Sequence, residues 1–134
     1  MTNMKLNIWG REFDLPVDFD LYEGEVVSNV QKKALFGFEA KNIRDGEVVK
    51  NSLLEGSLDK LKAFCLDRNK EEIQGNSIDN IFKYVIPQNI YVLRTEEYRV
   101  VALMCAYKFD LEHGLAIVFE NECLKDIGTQ DLVL

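Results

Sequence analysis

The residues best suited to chemistry lie in one short segment, Asp110-Leu111-Glu112-His113-Gly114, which contains the single histidine of the chain. Two carboxylates and an imidazole this close together are potential ligands of a divalent ion, if a further ligand comes from elsewhere. A hairpin turn accounts for the same residues, because aspartate accepts backbone N–H bonds in turns and glycine relaxes the backbone there. We therefore predict a turn of functional interest at Asp110, Glu112 and His113, and no metal site.

The sequence contains no recognisable catalytic group. Cys65, Cys105 and Cys123 are odd in number and lie in apolar stretches, so all three are predicted to be buried free thiols. A catalytic Cys-His pair would need His113 beside Cys105 or Cys123, where a thiolate is costly. The sequence has no nucleophile elbow, phosphate loop or dinucleotide fingerprint. We predict that the chain is not an enzyme, has no catalytic residues and needs no cofactor.

Acidic side chains form the second group with chemical potential. The formal net charge is −7. Residues 1–25 contain six acidic and two basic side chains, and residues 109–134 contain six acidic and one basic. Acidic surfaces repel phosphate backbones and attract basic proteins, which predicts a basic protein partner and no nucleic acid. The predicted partner-binding residues are Asp14, Asp18, Asp20, Glu23, Glu25, Glu120 and Glu122. Solubility alone is the alternative explanation for each cluster.

Aromatic residues are interleaved with the acidic residues near the N-terminus, namely Trp9, Phe13, Phe19 and Tyr22. This mixture suits a protein interface, because aromatic side chains anchor a partner while carboxylates steer it. Trp9 and Phe13 have a second explanation as core residues, since large apolar side chains are mostly interior.

The N-terminal half predicts a hairpin and then two helices. Residues 4–19 alternate apolar and polar around Gly10, which places Leu6, Ile8, Phe13 and Leu15 toward the core. Pro16 marks the end of that pairing or an edge. Ser28-x-x-Gln31 and Ser52-x-x-Glu55 have the form of capping boxes, each followed by helical periodicity. The second helix is predicted to run to about Arg68.

The C-terminal half predicts a short helix and four strands. Ser77 is expected to cap the helix IDNIFKYV, which Pro87 ends. Four β-rich segments with short connections then predict an antiparallel meander: NIYVLR, RVVALMCAY, GLAIVFE and CLKDI.

The predicted fold class is α+β, with an N-terminal β-hairpin, two to three helices and a C-terminal four-stranded antiparallel meander. The strands are expected to form one sheet with the helices on one face, so that the two acidic ends meet in one strongly negative surface. Residues 1–134 are predicted to be a single domain, because no linker or repeat interrupts them. No apolar stretch is long enough for a membrane span and no signal peptide is visible, which predicts a cytoplasmic protein with no membrane contact.

The C-terminal half also carries a family resemblance. IFKYVIPQNIYVLR and residues 99–134 contain Asp110, Glu112, His113, Gly114 and Leu115, then Ile127, Gly128, Gln130 and Asp131. This pattern resembles an uncharacterised bacterial family of small cytosolic proteins, although Phe109 stands where that family usually carries tryptophan. The resemblance implies no catalytic residue.

Proteins that resemble this sequence are encoded by orphan genes or by immunity-type genes. The product of an immunity gene binds and blocks a cognate toxin. The resemblance therefore implies an immunity-type inhibitor of a basic toxin such as a nuclease. Two other hypotheses stay open. The first is a self-associating structural domain whose exposed sheet edge forms a homodimer. The second is a metal-dependent enzyme or sensor at the Asp110 turn.

Overall fold

The architecture is a six-stranded sheet with helices packed on one face, seen in a computed structural model that describes residues 2–134. The strands are β1 (Thr2–Ile8), β2 (Arg11–Phe19), β3 (Ile43–Arg44), β4 (Glu47–Val48), β5 (Val85–Val92), β6 (Val100–Tyr107), β7 (Leu115–Glu120) and β8 (Cys123–Gly128). The helices are α1 (Asn29–Ala40), α2 (Leu53–Arg68) and α3 (Lys70–Ile73), with 3₁₀ turns at Ile81–Lys83 and Gln130–Leu132.

The large sheet has the order β1-β2-β5-β6-β7-β8, and β3-β4 form a separate small hairpin. All neighbours in the large sheet are antiparallel except β2 and β5. That pair is parallel because α1 and α2 carry the chain back before β5 begins, the crossover that parallel strands require. The predicted α+β class, the N-terminal hairpin and the C-terminal meander are confirmed.

The N-terminal hairpin is held by a turn that contains tryptophan. Trp9 and Gly10 have φ of +52° and +88°, the two positive values that a tight two-residue hairpin turn needs. The indole Nε1 of Trp9 donates to the Leu54 carbonyl at 3.0 Å, so the side chain fastens the hairpin to α2. The prediction that Trp9 belongs to the core is confirmed, since it is buried.

Both predicted helix starts are confirmed. Ser28 and Gln31 form a reciprocal capping box at α1, and the Ser52 hydroxyl accepts from the Glu55 amide at α2. Each bond satisfies an amide that has no partner within the helix. The predicted end near Arg68 is also confirmed.

The core lies between the helices and one face of the sheet. It combines Ala34 and Phe38 of α1, Leu61 of α2, and the inward side chains of the sheet strands. The opposite face of the sheet carries a smaller apolar cluster centred on Ala102 and Ala116. Residues that alternate along each strand therefore face two different environments.

The predicted short helix over residues 78–85 is wrong. Residues 78–84 contain only the 3₁₀ turn, capped by Asn80 rather than Ser77, and β5 continues through Pro87. The register shifts between Pro87 and Asn89, and proline is tolerated at such a bulge because it has no N–H to donate. Similarly, β2 stays paired with β1 through Pro16 to Val17, so Pro16 does not end the hairpin pairing.

Candidate protein-interaction surface

Three loops project from the same end of the large sheet. β2 and β5 are parallel, and their last residues, Phe19 and Val92, are paired. β6 begins at Val100, which pairs with Glu120 at the end of β7. The β2–α1 loop, the β5–β6 loop and the β7–β8 turn therefore lie together. We call residues 20–28, 93–99 and 120–122 the loop-end surface.

Five of the seven predicted partner-binding residues lie on the loop-end surface, namely Asp20, Glu23, Glu25, Glu120 and Glu122. The β5–β6 loop adds Glu96 and Glu97, which lie in a predicted hairpin connection and are not among the predicted partner-binding residues. The sequence signal that could have identified both residues is the charged composition of this loop. Segments that are far apart in the sequence thus supply carboxylates to one end of the sheet.

The other two predicted residues, Asp14 and Asp18, lie within β2 on the sheet face that points away from the helices. Asp14 is opposite Lys5, and Asp18 accepts a hydrogen bond from Asn89 at 3.0 Å. β5 and β6 separate β2 from β7, and an apolar cluster built mainly from β6 and β7 occupies the sheet face between Asp14 or Asp18 and Glu120. The predicted single negative surface is therefore wrong for Asp14 and Asp18, because strand order places apolar side chains between them and Glu120.

An ion pair shapes the β2–α1 loop. The Arg94 guanidinium donates to both carboxylate oxygens of Glu25, at 2.8 Å from Nε to Oε1 and 3.1 Å from Nη2 to Oε2. Glu25 also accepts from the Tyr22 amide at 2.6 Å. These bonds, with that of Arg94 the larger, lower the pKa of Glu25. The guanidinium carbon lies 4.2 Å from the centre of the Tyr22 ring, so one arginine orders both side chains.

Two more acidic residues of the loop-end surface have partners. Glu120 pairs with Lys125 at 2.9 Å, and Glu122 pairs with Arg99 at 2.9 Å. Glu122 also lies against Gly37 of α1, so it faces the helix side of the molecule. The remaining acidic side chains of this surface form no ion pair within residues 2–134: Asp20, Glu23, Glu96 and Glu97.

Large apolar side chains are exposed on the same surface. Val26 and Tyr22 are 85% and 66% exposed, and Tyr98 in the β5–β6 loop is 51% exposed. Phe36 of α1, 73% exposed, shares a shallow depression with Arg99 and so borders the surface. Tyrosine and arginine are the types enriched among residues that dominate binding energy. The arrangement is therefore chemically suited to holding another protein.

The turn at Asp110 lies at the opposite end of the sheet, between β6 and β7. Asp110 accepts from the backbone amide of His113 at 3.2 Å and lies 2.9 Å from its Nδ1. This contact raises the pKa of His113 and lowers that of Asp110. Glu112 is exposed and joins no ion pair in the described part of the chain. Within residues 2–134, no three His, Cys, Asp or Glu side chains are grouped as metal ligands.

The two sequence motifs of the family resemblance, residues 110–115 and 127–131, are in contact. The backbone amide of Gln130 donates to the carbonyl of His113 at 3.0 Å, and the Gln130 side chain donates to the carbonyl of Cys105 at 3.1 Å. Gly114 lies beside these contacts with φ of +59°. The contacts attach the end of the chain to the β6–β7 turn, which gives these residues a structural role.

The cysteines differ in environment. Cys65 and Cys105 are buried, and burial raises the pKa of both thiols. Cys123 is exposed, so the prediction that all three are buried is wrong for this residue. The reason is its position at the start of β8, the last strand in the sheet order.

Comparison with known proteins adds a family. No helix within residues 2–134 has the length and apolar character needed to cross a membrane. No curated protein and no solved structure matches the chain. A model described as a domain of unknown function, DUF6985, matches residues 2–134, nearly the whole chain rather than its C-terminal half alone. The predicted membership of an uncharacterised family is thereby confirmed, and the chain belongs to the DUF6985 family.

Proposed function

We propose that this domain is a non-enzymatic protein-binding module that holds a basic partner at its loop-end surface, and that it is an immunity-type inhibitor of a toxin domain such as a nuclease. The observation that supports this best is the grouping of exposed aromatic side chains with carboxylates that form no ion pair within residues 2–134, all at one end of the sheet. Carboxylates accelerate the approach of a basic protein, and aromatic side chains supply the contact area that slows its release.

The β2–α1 loop is ordered enough to serve as a binding element. The Gln31 side chain donates to the Asp20 carbonyl at 2.9 Å, and Arg94 holds Glu25 and Tyr22. A loop that is already ordered loses less conformational entropy on binding. Inhibition would be steric and electrostatic, with the acidic surface covering the basic active site of the toxin in the cytoplasm.

The first test is affinity capture from a lysate of the native bacterium, with the tagged chain as bait, at low and then high salt, followed by mass spectrometry. We expect a basic protein that elutes as the salt concentration rises, because ions screen exposed charges. Recovery of partners that resist salt and carry no basic surface would contradict the proposal.

Variants of the loop-end surface then test the two parts of the mechanism against the captured partner. Glu23→Lys with Glu96→Lys should slow association, and Tyr22→Ala should speed dissociation at a cost above about 1 kcal/mol. The matched controls are Glu112→Lys and Leu111→Ala, which change exposed residues at the opposite end of the sheet. Equal effects of the surface and control variants would refute this surface as the binding site.

A further inference from the structure

The outer edge of β8 carries residues that would match those of a second, antiparallel copy of the same edge. β8 is the last strand in the sheet order, so one of its edges has no strand partner within residues 2–134. Its central residues are Leu124, Lys125, Asp126 and Ile127. Leu124 and Ile127 pack against the core, while Lys125 and Asp126 are exposed. An antiparallel copy of this strand can therefore place opposite charges and apolar side chains against each other.

A bulge in β8 gives these four residues the required orientation. Val118 pairs with Asp126 and Phe119 with Leu124, which leaves Lys125 as the extra residue. In a regular strand, consecutive side chains point to opposite faces. Here Asp126 is opposite Val118 and Lys125 bonds Glu120, both on the face away from the helices, and the two residues also border the groove beside α2. Leu124 and Ile127 both contact the core.

We propose that two copies of this chain pair through β8 in an antiparallel arrangement, with a two-fold axis between Lys125 and Asp126. In this register Leu124 is opposite Ile127 of the second copy, and Lys125 is opposite Asp126 of the second copy. Two-fold symmetry repeats both pairs, as an isologous interface requires. Opposite-charge and apolar cross-strand pairs each stabilise a sheet, and the four central pairs are all of those kinds.

The hydrogen bonds of the single chain are compatible with pairing of two β8 strands, in which a bond within one copy is replaced by bonds between the copies. The Ile127 amide donates to the carboxylate of its own neighbour Asp126 at 2.8 Å. In the dimer that amide donates to the backbone of the second copy, and the released carboxylate faces Lys125 of the second copy. Lys125 bonds Glu120 at 2.9 Å and remains 57% exposed, so it can contact both carboxylates.

Lysine and bulges often protect an edge from pairing, and β8 has both. In the proposed dimer, the same bulge occurs in each copy at the same distance from the two-fold axis. The two edges therefore keep matching shapes and charges, which favours a second copy of this chain at this edge.

A groove beside the edge provides further apolar surface. It has a volume of about 400 Å³ between α2 and β8. Its lining combines four apolar residues with four charged ones: Ala63, Phe64, Leu124 and Ile127 with Lys60, Asp67, Lys125 and Asp126. A second strand at the edge would border this groove. The interface is still small, so we expect a weak dimer whose formation depends on concentration, on the order of micromolar dissociation constants. This proposal does not depend on the proposed function.

The test is sedimentation velocity of the full chain over a range of concentrations, with two charge variants. Lys125→Asp places aspartate opposite Asp126 of the second copy, and Asp126→Lys places lysine opposite Lys125 of the second copy. Each change occurs twice per dimer and should weaken self-association by about tenfold or more. Lys5→Asp, on the other edge of the sheet, is the matched control and should leave the dissociation constant unchanged.

Mixing the two variants distinguishes repulsion from misfolding. In the mixed pair, one copy carries carboxylates at positions 125 and 126 and the other carries ammonium groups at both, so each cross-strand contact is attractive again. The two variants should therefore associate with each other although neither associates with itself. Far-UV circular dichroism of each variant should match that of the unchanged chain. A chain that stays monomeric at all concentrations, a mixture that does not associate, or a dimer lost in Lys5→Asp would overturn the proposal.

Discussion

At the scale of single residues, Gly114 shows how tightly the two C-terminal motifs are packed. A Cβ atom there would lie 2.6 Å from the Gln130 side chain nitrogen and 2.7 Å from the Cys105 carbonyl oxygen. The positive φ adds conformational strain for any residue with a Cβ. The space and the backbone both require glycine at this position.

Gly114→Ala should therefore destabilise the domain by at least about 2 kcal/mol. The matched control is Gly56→Ala, because Gly56 lies within α2 and, among residues 2–134, no atom outside its own helix turn and chain neighbours lies within 4 Å of its Cβ position. There alanine should raise the free energy of unfolding by about 0.5–1 kcal/mol through its higher helix propensity. Urea denaturation followed by circular dichroism measures both, and equal effects would show that the turn has room to relax.

His113 predicts a specific dependence on pH. Its pKa is raised by Asp110, so its stabilising contact is fully present below the ordinary histidine pKa and is lost as pH rises through the raised value. Asp110 has a lowered pKa, so its part is lost as pH falls through that lowered value. The contact is therefore most stabilising when Asp110 is ionised and His113 is protonated, in mildly acidic solution between their two pKa values.

The single histidine of the chain makes the measurement direct, because only one imidazole Cε1–H signal appears in a proton NMR titration. We expect a pKa above the ordinary value of about 6.5, and a return toward that value in Asp110→Asn. An unchanged titration in this variant would mean that Asp110 does not act on His113 in solution.

At the scale of elements, the helix starts were predictable because the cap hydrogen bonds are local, a full capping box at α1 and a single Ser52 bond at α2. Ser28 and Gln31 are three residues apart and satisfy each other's backbone amides without help from the rest of the chain. The prediction that Ser77 caps a helix relied on the same residue type and was wrong, because no α-helix follows Ser77. β5 begins at Val85 and pairs with β6, so the helix predicted over residues 78–85 is limited to the 3₁₀ turn before that strand.

Ser28→Ala should lower the free energy of unfolding by about 1 kcal/mol, because it leaves the Gln31 amide without its acceptor. Ser77→Ala is the comparison, since Ser77 is exposed and caps no helix within residues 2–134. Its effect should stay within about 0.5 kcal/mol. A loss at Ser77 equal to that at Ser28 would contradict the capping assignment.

At the scale of the whole molecule, Trp9 connects elements that are distant in the sequence. Its indole Nε1 donates a hydrogen bond to the Leu54 carbonyl of α2. The centre of its ring lies 5.8 Å from the centre of the Phe82 ring, which precedes β5. Trp9 is also the single tryptophan of the chain. Its fluorescence therefore reports on contacts between the hairpin, α2 and the start of the meander.

We expect urea unfolding curves from tryptophan fluorescence and far-UV circular dichroism to coincide, as they do for a cooperative single domain. This result would also test the predicted single domain over residues 1–134. Loss of tryptophan fluorescence at lower urea, with the circular dichroism retained, would instead show that the hairpin unfolds separately from the meander.

The sequence by itself determined the features that depend on neighbouring residues. Periodicity specified the hairpin, both long helices and the four C-terminal strands, and it also identified Leu6, Ile8 and Leu15 as core residues. The acidic content of the two ends was likewise visible, because charge is read directly from residue types.

Only the tertiary structure decided which acidic residues are neighbours and which have partners. Strand order placed β5 and β6 between Asp14 and Glu120, and it brought Arg94 to Glu25 across 69 positions of sequence. Such contacts depend on how strands align across the sheet, and local periodicity contains no record of that alignment. The loop-end surface and the outer edge of β8 follow from this arrangement.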